Sequence, residues 1–415
     1  MKLERVGLGY RWDIVSEGVR IMADRITESR GDMSAEVTVQ RSPEGNVMRG
    51  RVNLSSMTAR KSTASYCRER APNTDWQDLL ERFAVAVIDH EREGSPIEKV
   101  GNRPLRGKPS WLLDPMLVEG TATILYGEGG IGKSTMTAAI AVSVATGQPL
   151  LEGWAVPKAR KVLVLDWESD SDDWNDLFQL LRAGMAADDP DILYMSCAGA
   201  LPGMLHRLSA VVSEQDIGLV VVDSVGLATP SSREGSDANE SALRLFSALR
   251  TLGVTSLLID HVSKAQVANE TSVQGPYGSV YKTNSARSVY ELRQASADDD
   301  GSRTVVLHHR KANRTARQQP VGVRITRDDV HIHLERTELP HVSQFGRSSD
   351  REGRPLTGSQ RLWEALDADV LKSRQQLSEE TGIATKMVGV YLNRELKDRV
   401  RSVGQAGDER LWGRV

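Results

Sequence analysis

The residues with the clearest chemistry are Gly127, Glu128, Gly129, Gly130, Ile131, Gly132, Lys133 and Ser134, followed by Thr135. Their order fits GxxxxGK[ST], a loop whose glycines let successive backbone N–H groups close around phosphate oxygens. Lys133 would reach the β- and γ-phosphates, and the Ser134 hydroxyl would hold a magnesium ion. A glycine-rich loop can also simply turn the chain. Here the apolar run TATILY precedes it and the helix-forming run KSTMTAAIAVSVATG follows, which is the context a phosphate-binding loop requires. The expected ligands are therefore ATP and Mg²⁺.

Hydrolysis needs two further groups, an acid that orders the metal and a base that polarises water. LVVVDSV ends an apolar strand on Asp223, placed to order the magnesium. Ser224 follows Asp223, so the base does not sit beside the metal acid. KVLVLDWESD, the first strand after the loop's helix, runs into Glu168, the candidate base, with Asp166 and Asp170 as nearby competitors. TSLLIDHVSK ends another apolar strand on His261, with Lys264 one helical step on. A histidine there is placed to sense the γ-phosphate, although a lone histidine is also an ordinary structural residue.

These groups need a scaffold that brings several strand ends together. TATILYG, KVLVLDWE, GLVVVDSV, VTSLLIDH and RTVVLHH read as strands rich in Val, Ile and Leu. Runs apolar throughout suit strands buried on both faces of a mostly parallel sheet, and amphipathic segments such as ESALRLFSALRTLG lie between them. An α/β core over 111–340 follows. Before it, 1–100 reads as a small α+β module. VRIMAD, AEVTVQ and MRGRVNL alternate as strands around a PEGN turn. MTARKSTASYCRER and WQDLLERFAVAVIDHERE have helical spacing, the second with Trp76, Leu79, Leu80, Phe83 and Val87 on one face. Polar, Gly/Pro-containing stretches at 101–110 and 341–358 read as linkers. Residues 358–415 show three helical segments and two short strands.

Composition sets limits. Hydrophobic residues make up 39% and charged residues 26% of 415, an ordinary globular balance without a membrane-length apolar run. The charged opening MKLERVGLGYRWD is unlike a secretory signal. Two cysteines, Cys67 and Cys197, exclude a disulfide scaffold or cysteine-built metal site, and a cytoplasmic location is expected. Net charge is −3. The flanks are mildly basic, with 19 basic against 16 acidic residues over 1–110 and 13 against 11 over 341–415. That distribution is compatible with nucleic-acid contacts at the ends.

The order of these motifs resembles the RecA/DnaB-type ATPase core, closest to the plasmid RepA-like hexameric helicases, over about 111–340. The resemblance implies a RecA-like fold, a catalytic glutamate at Glu168, the metal aspartate at Asp223, and an HxxK sensor at His261 and Lys264. It implies a Gly-Ser-to-Arg segment matched by Gly278, Ser279 and Arg287. It also implies a Lys-x-Arg finger that completes the neighbouring subunit's ATP site. Here HHRKANR supplies Lys311, with Asn313 where the arginine is expected, so Arg310 or Arg314 would take that part. ATP hydrolysis at the interfaces of a homo-oligomeric ring is implied. The segment 263–282 is long and glycine-containing enough for a pore loop, bracketed by Lys264 and Lys282 as single-stranded DNA contacts. Residues 358–415 resemble a winged helix-turn-helix. Leu377, Val388 and Leu392 fall at core spacing, and Lys386, Asn393 and Arg394 are available to duplex DNA. Arg401 and Arg410 lie in the wing, which serves DNA or a protein partner. The expected function is a DNA motor of the replicative helicase kind from a plasmid, phage or other mobile element. The alternatives are a RecA-like recombination mediator and a DNA-binding regulator whose ATPase switches assembly.

Overall fold

The computed structural model describes residues 3–94, 97–102, 104–105, 107–229, 238–262, 280–297, 302–339, 357–366, 371–381, 383–397, 399–406 and 409–414. Lys264, Gly278 and Ser279, almost all of the expected pore loop, and most of the second linker lie outside the described residues.

Alternating apolar and polar side chains build a five-stranded sheet from the first fifty residues. Its strands are β1 (Glu4–Val6), β2 (Gly9–Ile14), β3 (Val19–Ser29), β4 (Asp32–Arg41) and β5 (Gly45–Asn53), each antiparallel to the next. The PEGN segment joins β4 to β5. β1 and β2 extend beyond the three strands that the alternation singles out. Two helices follow, α1 (Met57–Arg70) and α2 (Trp76–Glu93), capped by the side chains of Ser56 and Asp75. The expected face of α2, Trp76, Leu79, Leu80, Phe83 and Val87, is buried in a core shared with both helices and the sheet. This module touches the rest of the chain where Asp24 Oδ1 lies 3.1 Å from His206 Nδ1.

A short hairpin, β6 (Trp111–Leu113) with β7 (Leu117–Val118), leads into a nine-stranded sheet. In chain order its strands are β8 (Ala122–Gly127), β9 (Lys161–Asp166), β10 (Ile192–Ser196), β11 (Ile217–Asp223), β12 (Thr255–His261), β13 (Ser288–Ala297), β14 (Arg303–Ala312), β15 (Val321–Arg327) and β16 (Ile332–Thr337). In space they run β10-β9-β11-β12-β8-β13-β14-β15-β16. Strands β10 through β13 in that spatial order pair in parallel, and β13 to β16 pair antiparallel. The mostly parallel α/β expectation is therefore met, and three antiparallel pairings extend the sheet at the β13 side. The apolar run of β14 reads the same in either direction, so sequence alone does not reveal the antiparallel pairings.

Helices α3 (Lys133–Thr146) and α4 (Ser171–Met185) lie in the core on one face of the sheet. On the other, α5 (Leu205–Glu214), α6 (Val225–Ala228) and α7 (Ala238–Leu252) pack against Ile124, Leu165, Val222 and Leu258. Burial on both faces accounts for the apolar strands. The consequence for function lies at the sheet's edge. The C-terminal ends of β8, β9, β11 and β12 are adjacent, and every motif acid follows or ends one of those strands.

At the C-terminal end, helices Gly358–Ala365, Arg374–Thr381 and Thr385–Val390 precede a hairpin of β17 (Val400–Ala406) and β18 (Glu409–Arg414). The third expected helix continues as a wider π turn through Tyr391–Glu395. Leu377, Val388 and Leu392 are buried in this segment's own core, with Leu362, Ile383 and Trp412. Both cysteines are free and buried. Among the described residues, no helix is long and apolar enough to cross a membrane.

Candidate nucleotide site

The glycine loop connects β8 to α3, as its spacing requires. Gly127 ends β8 where a Cβ would lie 2.5 Å from the Leu292 carbonyl oxygen, so the close approach of β13 demands glycine. Gly132 is the N-cap of α3 with φ 102°, a conformation open to glycine, and it makes no side-chain capping bond. The first N–H groups of α3 thus lack a capping side chain and suit an anion. Ile131 is buried in the core beside the loop, while Glu128, Gly129, Gly130 and Ser134 are exposed. Thr135 lies in the first turn of α3. The Lys133 ammonium donates to the carbonyls of Gly127 and Glu128 at 3.1 and 2.7 Å. Burial pulls its pKa down, opposed by the charges of Asp223 and Glu168.

Across the loop, Ser134 Oγ donates to Asp223 Oδ2 at 3.3 Å. Asp223 is only 5% exposed and stands opposite Asp166 on the neighbouring strand. Burial first, then the charges of Glu168 and Asp166, push its carboxyl up to about 7. A buried, crowded carboxylate beside a serine hydroxyl is an oxygen donor set suited to a hard divalent cation. Magnesium takes few protein ligands and completes its shell with water and phosphate. Among the described residues, no group of three or more His, Cys, Asp or Glu is arranged to hold a metal ion.

The three candidate bases separate by their partners. Asp166 is 1% exposed, and its Oδ2 accepts from Ser169 Oγ, Trp174 Nε1 and Tyr194 OH at 2.8, 3.2 and 3.0 Å. It anchors the turn after β9. Asp170 caps α4 by accepting from Asp172 and Asp173 N–H. Glu168 is exposed beside the loop, with one oxygen receiving the Ser224 hydroxyl. His261 Nε2 lies 3.4 Å from the same carboxylate oxygen. The structure thus brings Lys133, Ser134, Asp223, Glu168 and His261 to one edge of the sheet.

The expected basic residues are placed differently. Lys282 is 6% exposed and its ammonium lies 2.9 Å from Asp260 Oδ2, so it is an internal ion pair and not a surface contact for nucleic acid. Lys311 does not project as a finger. Its ammonium donates to the carbonyls of Thr283, Asn284 and Ala286, closing the end of the helix Val280–Ser285. Arg310 is held by the buried Glu291, which also binds Arg293. Arg314 is exposed. Ser288 pairs with Thr123 and Leu292 with Gly127, so the stretch after β14 lies about 13 Å along the sheet from its own phosphate loop. Arg287, Asn313 and Arg314 are therefore remote from the site in the same chain. Lys386, Asn393, Arg394, Arg401 and Arg410 are exposed on the C-terminal segment.

Two residues escape the motif reading. Ser224 touches Glu168, and its only sequence signal is its place after Asp223. Arg303 donates to the Gly130 carbonyl at 2.8 Å. It lies 173 positions away, so no local pattern announces it.

Residues 102–267 match the family model described as an AAA domain, which spans the phosphate loop, Glu168, Asp223 and His261. Among solved structures, the chain is similar to a KaiC-like protein from the archaeon Pyrococcus horikoshii. The identity is 18% and the TM-score 0.38, over 58% of this chain and 99% of that one. No curated protein matches the chain.

Proposed function

We propose that this chain is a magnesium-dependent ATP hydrolase that works as an oligomeric DNA motor. The observation that carries the ATPase reading is the meeting of Lys133, Ser134, Asp223 and Glu168 at one sheet edge. Lys133 and the N-terminus of α3 would bind the phosphates. Magnesium at Ser134 and Asp223 would neutralise phosphate charge. Glu168 takes the proton of the attacking water as the water oxygen bonds to the γ-phosphorus and ADP leaves.

The motor reading rests on the motif order and on the position of Arg314, whose distance from its own phosphate loop suits action on a neighbouring subunit. A ring-shaped, replicative-type helicase of a mobile element is the form we favour. The test is ATP-dependent unwinding of a forked duplex, with Lys133→Ala as the inactive control, alongside particle imaging with an ATP analogue and single-stranded DNA. Filaments that pair strands without unwinding would favour a recombination mediator.

The C-terminal helices and hairpin support a second reading, a regulator whose winged helix binds duplex DNA. Exposed Lys386 and Arg394 beside a separate small core favour it. Sequence-specific duplex binding without unwinding would bring it forward.

A further inference from the structure

Ser224 is 1% exposed and occupies the N-cap of α6, where a serine hydroxyl ordinarily accepts from a helix N–H. It makes no such bond. Its hydroxyl instead donates to Glu168 Oε1. His261 Nε2 lies 3.4 Å from that same oxygen. Both polar neighbours converge on Oε1, and among the described residues no donor reaches Oε2.

We propose that Ser224 is the positioning residue for the catalytic carboxylate, fixing Oε1 so that Oε2 faces the attacking water. A glutamate on a solvent-facing turn has three rotatable side-chain bonds, and one buried hydroxyl at a single oxygen removes most of that freedom. The serine gains this reach because it directly follows Asp223, so the metal acid and the anchor of the base share one strand end. The placement also explains how a base on β9's loop can be aligned with a metal site on β11.

This inference rests on Glu168 being the base, and the experiment separates the two claims. Steady-state ATPase is measured for Ser224→Ala, Ser224→Thr, Glu168→Gln and the double variant Ser224→Ala/Glu168→Gln. Nucleotide affinity is read with a fluorescent ADP and folding by thermal melting. Ser224→Ala should lower kcat about 10- to 100-fold, the value of a hydrogen bond to a charged group, with KM and ADP affinity nearly unchanged. Ser224→Thr should restore most of the rate, and the double variant should be no slower than Glu168→Gln alone. A wild-type kcat in folded Ser224→Ala overturns the proposal. So does a loss that persists undiminished on the Glu168→Gln background, or one seen in ADP affinity and not in kcat. If Ser224→Ala does not fold, a wild-type-like folded Ser224→Thr without recovered activity overturns it. Wild-type hydrolysis by Glu168→Gln removes the base assignment itself.

Discussion

The Arg303 guanidinium donates to the Gly130 carbonyl at 2.8 Å, so the first residue of β14 holds the outer side of the phosphate loop. An antiparallel strand thereby contacts the candidate nucleotide site. Arg303→Ala should weaken nucleotide binding about 2- to 10-fold, the value of one partly exposed hydrogen bond. Titration with a fluorescent nucleotide measures it. Unchanged affinity in both Arg303→Ala and Arg303→Glu would show that the contact does not support binding.

Asp166 and Glu168 should behave differently when neutralised. Glu168→Gln should retain ATP binding and lose hydrolysis by about 10²–10⁴-fold. Asp166→Asn should chiefly lower the melting temperature, because its carboxylate anchors Ser169, Trp174 and Tyr194. The reverse pattern would move the base to Asp166.

The buried pair of Asp260 and Lys282 links the end of β12 to the helix Val280–Ser285. Lys282→Met leaves the aspartate buried without a cation, which typically costs about 3–5 kcal/mol. Replacing both members with apolar residues should recover much of the loss. Denaturant unfolding of the single and double variants tests this, and equal stability of the wild type and Lys282→Met would refute it.

Arg314 is the exposed candidate for a residue that acts on a neighbouring subunit. Arg314→Ala should suppress hydrolysis without preventing ATP binding. An equal mixture with Lys133→Ala subunits should be more active than either alone, because some interfaces then contain both intact parts. No gain on mixing, with subunit exchange demonstrated, would mean that each site is complete within one chain.

His309 gives stability a pH dependence. Gln318 N–H donates to its Nδ1, so the proton sits on Nε2, which donates to Ser288 Oγ. Burial lowers its pKa from the ordinary value to about 4. The unfolded chain takes up the proton near pH 6.5. The stabilisation is therefore complete above about pH 6.5 and is lost as pH falls towards 4, the loss reaching about 2 kcal/mol at pH 5. Melting at about pH 7.5 and about pH 5 should show a smaller drop for His309→Gln than for the wild type.

The sequence by itself determined the features that depend on neighbouring residues. The phosphate loop is contiguous, so its strand–turn–helix setting is written in its own flanks. The helices α1 and α2 follow from helical spacing in their own segments, and the acids Glu168 and Asp223 follow from where apolar strands stop. Tertiary structure decided what those residues are free to do. Asp166 and Glu168 are two positions apart, yet one is bound by Trp174 and Tyr194 and the other is exposed. Lys282 reads as a surface charge until Asp260 is brought beside it. Lys311 reads as a finger until the carbonyls of Thr283, Asn284 and Ala286 surround it. A side chain's availability depends on partners distant in the chain, and only folding sets those distances.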